Sequence, residues 1–187
     1  MTFIRKGAQP GNQLAKAGRA WEDLMPSAIA QVPGLRLEHF GAPVRVLGVG
    51  STKAGRRAPL VAFEGPAPLD WCGHYHGRHV EIDCKRMSVA APSWSWASSM
   101  APDQVERCIA MSGDGCLVGI CLLIDDGFRC YGIPWQYIAA VRARGRASVK
   151  IEELDRAAEF DEVVNLRPDG GPIRLLPFLM RMVREQL

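Results

Sequence analysis

Val80-Glu81-Ile82-Asp83-Cys84-Lys85 decides how this chain is read, because apolar and charged residues alternate along it with a strict period of two. In an extended strand, alternate side chains share a face. Glu81, Asp83 and Lys85 therefore point one way, and Val80, Ile82 and Cys84 point the other. Thirteen residues before Asp83 stands Asp70, within Pro68-Leu69-Asp70. Between them His76-Gly77 reads as a tight turn. That turn folds a short strand, Leu69 to Tyr75, back along the first and brings Asp70 beside Asp83 and Lys85.

Two carboxylates and a lysine on one surface suit phosphodiester hydrolysis. The reaction needs a metal to polarise the phosphate and to generate hydroxide near neutral pH. Hard Mg²⁺ takes carboxylate oxygens and keeps several waters, so two or three carboxylates suffice. A neighbouring lysine orients the attacking water and offsets charge developing on the phosphate. The same alternation also fits a strand face that merely carries charges of both signs, so the spacing by itself leaves both readings open.

Outward from this stretch the chain reads as one domain over 14–187, preceded by a flexible arm over 1–13 that contains Arg5 and Lys6. Leu14, Ala17, Trp21, Leu24 and Met25 recur at helical spacing and predict a helix from about Leu14 to Gln31, with Pro26 as a kink or an end. Glu22 lies beside that apolar stripe. Leu35 to Phe40 alternates as a strand. Val44 to Val49 and Leu60 to Phe63 flank the basic Ser51-Thr52-Lys53-Ala54-Gly55-Arg56-Arg57-Ala58, which predicts a projecting β-hairpin. Residues 102–111 read as a helix with Pro102 in its first turn. Cys116 to Ile124 is a continuous apolar run, as in a buried central strand, and Arg129 to Ile133 follows across Asp126-Gly127 as its antiparallel partner. Ile151 to Phe160 and Ile173 to Leu187 are the last helical stretches, the second interrupted by Pro177. The order of elements predicts an α/β fold with a mixed central sheet flanked by helices.

Composition sets the class. A chain of 187 residues with a net charge of +3 has length enough for a hydrophobic core, and its modest charge leaves the partner to be read from distribution. The six cysteines form no C-x-x-C pair, which removes the spacing of a structural zinc site and points to reduced thiols. No apolar run reaches the ~20 residues of a membrane span, and the start lacks the apolar core of a signal peptide. The expectation is a soluble cytoplasmic protein.

The stretch from Pro68-Leu69-Asp70 to Val80-Glu81-Ile82-Asp83-Cys84-Lys85 resembles the core motif of RecU-type Holliday-junction resolvases, which belong to the PD-(D/E)xK nucleases. The likeness extends to Gly18-Arg19-Ala20-Trp21-Glu22 as the first helix with its acidic residue, and to Val46–Phe63 as the stalk. It also takes in Pro102-Asp103-Gln104, the strands of Gly115–Pro134, Ser148–Leu154 and the last helix. The resemblance implies a restriction-endonuclease-like fold and a homodimer that resolves four-way branched DNA by paired nicks. It implies Asp70, Asp83 and Glu22 as ligands of Mg²⁺ (or Mn²⁺ in its place), Lys85 as the residue that positions water, and Gln104 in support. Arg19, Lys53, Arg56 and Arg57 are the implied DNA contacts. This chain has Asp83 where the family usually has glutamate. Ser93-Trp94-Ser95-Trp96-Ala97-Ser98-Ser99 stands where a histidine-containing stretch is usual. A nuclease acting on another DNA substrate and a non-catalytic junction-binding accessory protein are the rival readings.

Three further groups have two readings each. His74, His76 and His79 flank the turn and read as surface or packing residues rather than zinc ligands. Trp94 and Trp96 read as a loop anchor or dimer contact rather than a platform for unpaired bases. Arg142, Arg144, Arg146 and Lys150 alternate as if along a loop or strand edge, either meeting phosphates or facing solvent.

Overall fold

Alternating and continuous apolar runs form the expected sheet. The computed structural model describes residues 23–40, 44–51, 57–63, 69–124 and 129–186, with backbone alone over 44–51 and 57–63. A helical segment over 23–30, here α1, leads to β1 (Leu35–His39), β2 (Val44–Ser51) and β3 (Arg57–Phe63). Then come β4 (Trp71–Tyr75), β5 (Arg78–Met87), β6 (Ser93–Ser95), α2 (Trp96–Ser99) and α3 (Pro102–Gly113). The chain continues through β7 (Leu117–Ile124), β8 (Cys130–Pro134), α4 (Trp135–Ala143), β9 (Ser148–Lys150), α5 (Ile151–Glu159), β10 (Val164–Asn165) and α6 (Leu175–Arg184).

The central sheet has six strands in the order β1-β4-β5-β7-β8-β10. β1, β4 and β5 are antiparallel neighbours, β5 and β7 run parallel, and β8 returns antiparallel. A parallel neighbour requires a crossover, and the chain between β5 and β7 supplies it through β6, α2 and α3. The fold is α/β with a mixed sheet flanked by helices, as the sequence predicts. β2 and β3 pair antiparallel in a separate two-stranded sheet with a register shift between Val46 and Gly48.

Each face of the sheet is covered. Val80, Ile82, Leu117 and Cys121 pack with Met25 and Ala28 of α1 and Phe178 and Met182 of α6. On the opposite face Val118, Ile120 and Leu122 pack with Cys108 of α3, Ile138 of α4 and Leu154 of α5. β7 is buried along its whole length because it lies between these two layers, which explains why it shows no polar alternation. Phe178 of α6 fits against Gly119 and Gly132, where an added Cβ would lie 2.3 and 2.6 Å from its ring.

The turn expected at His76-Gly77 is present, with φ of 47° and 80°. Both are positive, as a two-residue turn twisted to match its strands requires. The six cysteines are free. Among the described residues no helix is long and apolar enough to cross a membrane.

Several local expectations are corrected. Pro26 does not end α1, which is helical on both sides of it; its side is exposed while Met25 and Ala28 anchor the segment. Pro177 does not interrupt α6 but occupies its third position, in the first turn, where the amide has no intrahelical partner to lose. Of the four basic residues expected on a loop or strand edge, Arg142 lies instead in the last turn of α4, whereas Arg144 follows as its C-cap and Lys150 ends β9. That helix was hidden by its β-favouring Trp, Tyr, Ile and Val, and it forms because Trp135, Ile138 and Val141 are buried at helical spacing. Arg146 is paired with Glu153 at 2.5 Å. By contrast, the anchoring role favoured for Trp94 and Trp96 agrees with the structure: both are 3% exposed and meet edge to face with centroids 6.1 Å apart, presenting no stacking surface. The arm over 1–13, the start of the first helix, the hairpin tip over 52–56 and the Asp126-Gly127 turn lie outside the described residues.

Candidate active site

The register of β4 against β5 builds the site. Trp71 pairs with Ile82, and the ladder runs from there to Tyr75 opposite Arg78. One step beyond its open end, Asp70 comes opposite Asp83. The edge is tied down twice: the Phe40 N–H donates to the Asp70 carbonyl at 2.8 Å, and the Cys84 N–H donates to Asp70 Oδ2 at 2.9 Å. The second bond joins the Asp70 carboxylate to the strand that carries Asp83.

The alternation read from sequence holds. Val80, Ile82 and Cys84 pack on the face of α1 and α6, while Glu81, Asp83 and Lys85 occupy the other. Lys85 Nζ lies 2.7 Å from Asp83 Oδ2, with Lys85 16% exposed and Asp83 fully buried. Asp83 Oδ1 is inaccessible to water and has no hydrogen-bond partner among the described residues. Burial pushes the Asp83 carboxyl up to about 7, and nearby Asp70 adds to this, while the Lys85 ammonium opposes it. A buried carboxylate with an unmatched oxygen lacks positive charge, the quantity that a divalent cation supplies.

The donor set fits a hard cation. Asp70 and Asp83 offer carboxylate oxygens, and Mg²⁺ would retain waters in its other positions. Among the described residues no three His, Cys, Asp or Glu side chains converge on one point. Glu22, the expected third carboxylate, lies outside the described residues, as do Arg19, Lys53 and Arg56. Arg57 begins β3, where backbone alone is described.

Gln104 is at the third position of α3, and its Oε1 accepts from the Ala101 N–H at 3.1 Å. The side chain therefore stabilises the helix start, a job that the sequence reading did not assign to it. His74 is exposed and His76 forms the turn. His79 Nε2 lies 2.9 Å from Glu81 Oε1.

Sequence reasoning missed Arg107. Its Nε donates to Glu81 Oε2 at 2.7 Å, and a terminal nitrogen donates to Oε1 at 2.5 Å. Burial raises the Glu81 carboxyl, but hydrogen bonds and charge from Arg107 and His79 outweigh this and hold it below its ordinary value. Helical spacing held a signal for Arg107: it lies three residues after Gln104, so the two share a face of α3.

No protein-family model and no curated protein matches the chain. Among solved structures the chain is similar to that of Archaeoglobus fulgidus Hjc, a Holliday junction resolvase from an archaeal hyperthermophile, determined at 1.6 Å resolution. The two share 15% identity over 65% of this chain and 77% of that chain, with a TM-score of 0.34.

Proposed function

We propose that this protein is a metal-dependent DNA endonuclease, and that its substrate is the four-way junction. One observation carries the nuclease reading. Asp70 and Asp83 stand opposite each other at the open end of the β4–β5 ladder, with the Lys85 ammonium on a buried carboxylate that has an unmatched oxygen. The junction as substrate and the homodimer come from the resemblance of the motif to RecU-type resolvases, and the cytoplasmic setting from cysteine usage and the lack of a signal-peptide core.

In this reading Asp70 and Asp83, with Glu22 in support, hold Mg²⁺ or Mn²⁺. When bound, the ion would supply Lewis acidity and make water more acidic near neutral pH. Lys85 would orient the attacking water and offset the charge that develops on the phosphate oxygens. Burial of Asp83 removes competing solvent and strengthens each charge interaction at the site. Gln104, one turn from Arg107 on α3, supports the same surface. Arg19 and the hairpin residues Lys53, Arg56 and Arg57 give phosphate contacts, which position the DNA and carry no sequence preference.

A cleavage assay on a synthetic four-way junction in Mg²⁺ and Mn²⁺ tests this, with wild type beside Asp70→Asn. Paired nicks by wild type and none by the variant are expected. A wild type that binds junctions and never cuts them refutes the enzyme and leaves the accessory-protein reading. Equal cutting of matched linear duplex refutes the junction assignment alone.

A further inference from the structure

We propose that Arg107 and Glu81 act as a positioning pair, seating α3 over Asp83 and so setting how that carboxylate meets a divalent cation. The inference rests on the nuclease reading above and concerns two residues that it leaves without a role.

Glu81 is fully buried and lies on the strand face of Asp83, two residues away. At a strand rise of ~3.3 Å per residue this is roughly 7 Å. Arg107 reaches it with both arms of a planar fork, a geometry that fixes direction as well as distance. His79 Nε2 meets the same carboxylate at Oε1, the oxygen that also accepts from the Arg107 terminal nitrogen.

α3 itself packs on β7 and α4. Of the twelve residues of α3, Cys108 is the one that is fully buried, with Val105 and Met111 packed in part. Cys108 directly follows Arg107, and its thiol is close enough to Asp83, Glu81 and Lys85 to feel the charge of all three. Thus the Arg107–Glu81 fork ties α3 directly to the strand that carries Asp83. A slide of α3 would change the covering of Asp83 directly, whereas Asp70 is tied to the strands through Cys84.

The test removes the pair as a unit. Arg107→Met alone leaves a buried unpaired carboxylate and threatens folding, whereas E81M/R107M replaces both charges with apolar groups of similar volume, which buried pairs tolerate. Mn²⁺ binding to the full chain is measured by titration calorimetry, alongside single-turnover cleavage and junction affinity in Ca²⁺. Asp83→Asn serves as the variant without binding. Mn²⁺ affinity in E81M/R107M should fall about tenfold or more, as for other residues that orient a metal ligand, with junction affinity unchanged and a cooperative melt retained. R107K keeps the charge and loses the fork, and should lose about threefold; it carries the test if the double variant does not fold. Wild-type Mn²⁺ affinity in the folded double variant, or in R107K, overturns the proposal. So does a parallel loss of junction affinity, which marks a merely structural pair. A wild type that neither binds Mn²⁺ nor cuts DNA fails at the earlier reading, and the proposal falls with it.

Discussion

In the proposed nuclease Asp83 is the central carboxylate, and its burial has a measurable consequence. A carboxyl shifted from 3.8 to about 7 by burial is neutral in the folded chain while the unfolded chain has already ionised it. Stability is therefore unaffected below about pH 4, falls as pH rises through the interval to about 7, and stays reduced above it. Without metal, the melting temperature of wild type should decline through this window relative to Asp83→Asn. Parallel melting curves for the two proteins across it would show that Asp83 ionises normally. Lys85→Ala should lower single-turnover cleavage by about a hundredfold, the usual loss of one aligned charge donor, while junction affinity in Ca²⁺ is kept. A rate within a fewfold of wild type removes Lys85 from the mechanism. The Asp-for-Glu change at position 83 matters at the same scale, because the shorter side chain keeps the carboxylate close to the strand and within 2.7 Å of Lys85.

At the scale of elements, the sheet and its covering helices meet where side chains are smallest. Gly119 of β7 and Gly132 of β8 form the trough for Phe178 of α6. Gly132→Ala should cost about 1–3 kcal/mol by overpacking, read from urea unfolding; a neutral result would mean that the ring shifts freely. Sequence periodicity identified β5, β7 and the turn before β5 because those patterns are set locally. It did not find α4, whose Trp, Tyr, Ile and Val favour strands when taken one by one. Burial of Trp135, Ile138 and Val141 on one side overrides that preference. The same limit applied to Pro177, whose position in the first turn depends on where α6 begins.

For the whole molecule, a net charge of +3 means that affinity for DNA depends on where the basic residues sit. If the hairpin meets phosphates, replacing Lys53, Arg56 and Arg57 with alanine should reduce the slope of log affinity against log salt by about 2–3. An unchanged slope, measured by fluorescence anisotropy on four-way DNA, removes the hairpin from the interface. Asp70, Asp83 and Lys85 were legible from sequence because a period of two and a two-residue turn dictate which side chains share a face. Strand alternation also placed Glu81 beside them. Its partner was not legible: Arg107 lies 26 residues further on, beyond a crossover whose path local preference does not specify. Nor does alternation say whether a charged face is wet or dry. Only tertiary packing decided that Glu81 and Asp83 are fully buried, because desolvation depends on what covers a strand as well as on the strand itself. The cluster read from Val80 to Lys85 was thus determined locally, and its electrostatics by the tertiary packing around it.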